Sequence, residues 1–214
     1  MYQLFGFPTH NTYKVLYVLE ALNQTYELSL VDLARGQHKT PKFQALNPHG
    51  RVPILRMNSG SLSESGAICR YLAHAHPSTL FPHGLLQRAR LDQWIDSFSC
   101  HLGAYIATIY FETIIKKLAR LGEPNQDLIA HTQDLIGGEL AVLENSLATD
   151  RYILGNAISI ADYFAFAYIE QTGAIEYSLK PFDNVRRWQQ SMETDSAVKR
   201  GRLKMQEALS NTAN

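Results

Sequence analysis

The sequence predicts an α/β domain built on a mixed four-stranded sheet, followed by an all-α bundle. Three observations predict it. Short strand-like runs alternate with amphipathic helices at the start, a break bearing Pro and Gly follows, and helical periodicity continues beyond it with no strand pattern. The first run, "QLFGF", is apolar and aromatic like a buried strand. Pro8 leads from it into a helix with Val15, Leu16, Val18, Leu19 and Leu22 on one face. "YELSLVD" alternates as the next strand, and a right-handed crossover leaves these two strands parallel. "VPILRM", the turn "NSG" and "SLSE" read as an antiparallel hairpin, with "SGAICRYLAHA" as the closing helix.

The β-α-β and β-β-α order assigns residues 1–76 to this domain. Residues 77–84, with two prolines and a glycine, read as a linker. Residues 85–214 carry long apolar-periodic segments separated by "EPN", "DRYILGN" and "LKPFDN", which is the pattern of a helical bundle. Within it, "AISIADYF" places Ser159 as the cap of a helix whose third residue is Asp162, a capping-box variant worth roughly 1 kcal/mol with a structural role.

Composition excludes several classes. Of the 214 residues 45% are hydrophobic, enough for a sizeable core. Lys plus Arg equals Asp plus Glu at 20 each, so no overall field attracts nucleic acid or an anionic membrane. No apolar run approaches the roughly 20 residues of a membrane span, and the first residues lack the pattern of a signal peptide, so the expected compartment is the cytoplasm. Cys69 and Cys100 stand alone, which argues against a disulfide framework or a zinc knuckle. His74, His76 and His83 cluster without a nearby carboxylate or Cys; they read as helix-end residues near terminal carbonyls, with no metal expected.

The motifs "LNPHGRVPIL", "ESGAICRYL" and "YILGNAISIADYFAF", in this order and spacing, resemble the cytosolic glutathione transferases over nearly the whole chain. The resemblance implies a thioredoxin-like first domain that binds glutathione and an electrophile pocket between the domains. It also implies a homodimer, with glutathione as co-substrate and no other cofactor. Implied glutathione contacts are Val52 and Pro53, the proline with a cis bond so that the Val52 backbone pairs with the ligand's cysteinyl backbone. Glu64 and Ser65 open a helix whose N–H groups and dipole suit the γ-glutamyl carboxylate, with Glu64 meeting the ammonium. Lys39, with His38 and Arg51 as neighbours, is placed at the glycyl carboxylate. Tyr105 and Tyr110 border the electrophile pocket on the same grounds.

Relatives activate the sulfur with a Tyr, Ser or Cys near the end of the first strand. Tyr2 lies within the strand and Tyr13 within the helix, so Thr9 takes the serine-type position, and Asn11 two residues later is similar to the Thr-and-Asn pattern of bacterial Nu-type members. A thiol titrates near pH ~8.5. Donors to a charged acceptor contribute roughly 1.5–3 kcal/mol and a helix start about 0.3–1 kcal/mol, so the pair can lower the sulfur's pKa by about one to three units. Thr9 is then a donor to an anion, not itself a nucleophile, and its hydroxyl also competes for the helix cap. The expected activity is transfer of glutathione to a small hydrophobic electrophile or reduction of a glutathione mixed disulfide. A non-catalytic binding or scaffold protein is the alternative.

Overall fold

The computed structural model describes residues 1–212, and the chain divides into two compact units. The first holds Met1–Phe81 together with the tail from Glu193, and the second holds Pro82–Met192.

In the first unit the strands are β1 (Tyr2–Gly6), β2 (Tyr26–Leu30), β3 (Ile54–Met57) and β4 (Gly60–Ser63), in the sheet order β2-β1-β3-β4. β1 and β2 are parallel, with Tyr2 opposite Tyr26 and Leu4 opposite Leu28. β1 and β3 are antiparallel with Leu4 opposite Leu55, and β3 and β4 form the hairpin across Asn58 and Ser59. This is the mixed thioredoxin-like sheet expected from the strand order, and the period-2 alternation sets its two faces. Leu4 and Leu55 are fully buried on one face, while Val31, Phe43 and Ile54 form a cluster with Phe5, Leu33, Leu46 and Val52.

Helix α1 (His10–Ala21) packs against α3 (Ser65–Ala75) and against the last helix. Between β2 and β3 lie a single 3₁₀ turn, Gln37–Lys39, and the short α2 (Pro41–Gln44), whose cap Thr40 accepts from the Phe43 N–H at 3.4 Å. The Val52–Pro53 bond is cis, just ahead of β3.

The second unit is helical. α4 (Leu85–Ser97), α5 (Gly103–Tyr110) and α6 (Lys116–Ala119) continue one another through π-type turns at Phe98–Leu102 and Phe111–Ile115. By length and composition alone this Leu85–Ala119 run is enough to cross a membrane, which corrects the expectation that no such segment is present; 33% of its most apolar stretch is buried. Core helices pass the same two criteria. Gly103 is required within it, because a Cβ there would lie 2.3 Å from the Tyr168 ring. α7 (Gln126–Ser146) starts at Asn125, whose Oδ1 accepts from the Leu128 N–H at 3.0 Å. α8 (Ile160–Ile169) is buried along its whole length, and α9 (Asp183–Thr194) follows.

The final helix, α10 (Ser196–Thr212), was expected in the helical domain 85–214 and instead packs in the first unit, on α1 and β2. Its Gly201 sits so close to Tyr17 that a Cβ would approach that ring to 2.8 Å. Arg200 donates from Nε to Glu20 Oε2 at 2.8 Å and from Nη2 to the Glu20 carbonyl at 2.7 Å, while the Tyr26 hydroxyl donates to Glu20 Oε1 at 2.7 Å.

Candidate active site

Two helix starts and one pair of loops in the first unit hold nine of the expected site residues. At the first helix start, Thr9 is the extended N-cap of α1, and its carbonyl accepts from the N–H groups of Thr12 (3.0 Å) and Tyr13 (3.1 Å). Its side chain makes no capping hydrogen bond. The expected competition for the hydroxyl is therefore not realised: Thr9 Oγ1 lies 3.5 Å from Thr12 Oγ1 instead. Thr12 is fully buried and accepts from the Phe7 N–H at 3.2 Å. Either hydroxyl can donate across this contact, and when Thr12 does, the Thr9 proton is free for another acceptor. Gly6 makes room for this, since a Cβ there would sit 2.4 Å from Thr12 Cγ2.

Asn11 joins the two helix starts. Its Oδ1 accepts from Lys14 Nζ at 2.8 Å and from the Ser65 hydroxyl at 3.4 Å, across 54 positions of sequence. Lysine Nζ carries N–H donors whether charged or neutral, the amide atom facing it is the oxygen, and the two amide hydrogens of Asn11 are turned away from Lys14. Lys14 itself is fully buried. Burial holds its ammonium well below the usual lysine range, and the negative charge of Glu64 opposes the shift. His10, one turn earlier, is pushed down to about 3 by burial and then by Lys14.

At the second helix start, Ser65 is buried and Glu64 is the exposed cap of α3 with φ 68°. A left-handed conformation at a non-Gly residue costs of order 1–3 kcal/mol and is retained where the surroundings impose it, commonly at ligand sites. It leaves the Glu64 side chain at the mouth of the helix, where the free N–H groups and dipole favour an anion.

The loops come together at Gly50, whose left-handed φ of +60° and close approach to the His38 carbonyl (2.9 Å from a built Cβ) exclude a side chain. His38 is half-buried and its Nδ1 is buried with no hydrogen-bond partner among the described residues. Lys39 and Arg51 are exposed on the two loops, and the Arg51 carbonyl accepts from Asn47 Nδ2 at 2.8 Å. Val52 is half-buried with its side chain on the Val31, Phe43 and Ile54 cluster, and Pro53 is buried. Tyr105 and Tyr110 are half-buried on α5, in the second unit. His76 is not engaged as expected: its Nε2 lies 2.8 Å from the Tyr2 hydroxyl, and the His74 ring lies tilted against Phe81, centroids 4.3 Å apart.

Sequence reasoning missed Lys14, Thr12 and Gly6. Lys14 had a signal, for it shares a four-residue spacing with Val18 and Leu22 and so stands a cation on the apolar stripe. Thr12 and Gly6 carry none, because their fit depends on where the strand end meets the helix.

Fold and site together define a thioredoxin-like unit joined to a helical unit, with two helix starts of the first unit meeting through Asn11 and Ser65. Residues 4–80 match the family description "Glutathione S-transferase, N-terminal domain" and residues 100–195 match "Glutathione S-transferase, C-terminal domain". Glutathione S-transferase hmp2 of Hypomyces subiculosus is 31% identical over 184 residues, covering 83% of this chain and 87% of that protein. Probable glutathione S-transferase GSTF2 of Oryza sativa subsp. japonica is 29% identical over 181 residues, covering 83% and 84%. A solved glutathione transferase from Burkholderia graminis, with two glutathione molecules bound per subunit, superposes with TM-score 0.85 at 29% identity, covering 94% of this chain and 86% of that one. The chain belongs to the glutathione S-transferase family.

Proposed function

We propose that the protein binds glutathione on its first unit and holds the sulfur as a thiolate against Thr9 and Asn11 for attack on an electrophile. The observation that carries this reading is the orientation of Asn11, two positions from Thr9 at the same helix start: with Oδ1 taken by Lys14 and Ser65, its N–H groups are left to donate to a ligand. Ser65 and the α3 start receive the γ-glutamyl carboxylate, and Glu64 its ammonium. Val52 with Pro53 takes the cysteinyl backbone. The partnerless His38 Nδ1, with Lys39 and Arg51 nearby in the loops, supports a place for the glycyl carboxylate. Tyr105 and Tyr110 contribute to the electrophile subsite. Reaction in the cytosol, with its reduced glutathione pool, and assembly as a homodimer belong to the same reading.

A second reaction is favoured by the Burkholderia structure with two glutathione molecules per subunit. In this reaction the thiolate bound by the present chain would attack a mixed disulfide, so that one S–S bond forms, one breaks, and the displaced thiolate takes a proton. Assignment to the Nu-type rests on Thr9 and Asn11, whereas similar proteins include the F-named transferase of rice.

The test follows the absorbance of bound thiolate across pH. Wild type is expected to ionise bound glutathione near or below pH ~7, and Thr9→Ala about one to two units higher. An unchanged curve removes Thr9 from the mechanism, and absence of binding favours the scaffold alternative. Rates with a chloronitroarene and with a glutathione mixed disulfide rank conjugation against reduction.

A further inference from the structure

We propose that Lys14 is a positioning residue for this chemistry: its Nζ, donating to Asn11 Oδ1, fixes the Asn11 amide with its N–H groups toward the sulfur. This rests on the glutathione reading above. Lys14 is fully buried on a helix whose neighbouring positions Val15, Leu16 and Val18 are apolar. A buried cation is costly, and an apolar residue of similar volume at such a position is commonly neutral or stabilising. The stem of Lys14 fills core, and its head does something a methionine would not. At 2.8 Å it gives Asn11 Oδ1 its shorter hydrogen bond, the Ser65 hydroxyl at 3.4 Å being the longer. An amide held by its oxygen cannot flip, and a donor on that oxygen polarises the N–H groups at the other end. Seating the γ-glutamyl group at Ser65 and activating the sulfur at Asn11 therefore share one atom.

The titratable groups around Lys14 do not compete for this role. From its own helix, His10 is neutral above a pKa of about 3. From α3, the Cys69 thiol is pushed up to about 12 by burial and stays protonated. Glu64, ahead of α3, supplies the negative charge that favours the ammonium. On α10, Arg200 meets Glu20, well over a turn further along α1.

The experiment measures the bound thiol's pKa in Lys14→Met, Asn11→Ala and the double variant. If Lys14 acts through Asn11, Lys14→Met raises that pKa by about one unit, a tenfold loss of the thiolate ratio, and adds nothing in the Asn11→Ala background. Affinity for S-methylglutathione, which has no thiol proton, is expected within about threefold of wild type. Lys14→Leu, which also lacks a donor, gives the same reading should Lys14→Met not fold. An unchanged thiol pKa in the Lys14 variants, or equal effects with and without Asn11, overturns the proposal while Thr9→Ala still tests the function. Wild type that binds no glutathione overturns the function itself.

Discussion

The amide of Asn11 has one oxygen and two hydrogens, and the oxygen is committed to Lys14 and Ser65. Two donors on one acceptor decide which end of the side chain is left for a ligand, and they tie a helix start to a residue 54 positions away. Lys14 leaves a second trace, in the dependence of stability on pH. Its folded pKa lies well below the unfolded value of 10.5, so between those values the unfolded chain carries one more proton on this side chain. Stability therefore rises with pH across that window, by up to about 1.4 kcal/mol per unit, and flattens above it. Lys14→Met lacks this slope, so its advantage in urea midpoint over wild type should shrink as pH rises toward 10.5. A difference independent of pH would mean that Lys14 titrates normally in the fold. Asn11 and Ser65 were both singled out from the sequence. Their meeting was not, since it depends on how α1 and α3 lie on the sheet.

Among the elements, α8 shows how much of a local motif is legible. Ser-x-x-Asp announced a capping box, and the Asp162 carboxylate indeed accepts from the Ser159 N–H and hydroxyl, each at 2.9 Å. Its other oxygen accepts from the Ile153 N–H and from Trp188 Nε1, both at 3.0 Å. These partners come from the preceding loop and from α9, and nothing in the spacing points to them. Burial pushes the Asp162 carboxyl up while the four donors hold it down. Asp162→Ala would strand the Ile153, Ser159 and Trp188 N–H groups in the core, with an expected loss of about 3–5 kcal/mol in chemical denaturation. A loss near the roughly 1 kcal/mol of an ordinary cap would show that water replaces the carboxylate.

For the molecule as a whole, the informative result is where the tail goes. α10 lies some 180 residues from Glu20 in sequence, yet Arg200 pairs with it and Gly201 rests on Tyr17. The first unit thus includes both ends of the described chain, and α1, which carries Thr9 and Asn11 at its start, is covered by α10. Gly201→Val is expected to drive a side chain into the Tyr17 ring, cost about 1–3 kcal/mol in stability and lower the unfolding temperature. Glutathione binding at temperatures well below that transition should be retained. An unchanged unfolding temperature would mean that α10 shifts away from α1 at no cost.

Local rules in the sequence determined the elements and their order: the strand-helix-strand start, the hairpin at "NSG", the Thr9 cap and the Ser159 box, each set by neighbours within a turn or two. Only the tertiary structure decided that Lys14 is buried behind Asn11, that Ser65 shares its oxygen, and that the last helix joins the first unit. The reason is physical. Capping and periodicity act over a few residues, whereas burial and hydrogen bonding between distant residues arise only when the sheet has brought their helices side by side.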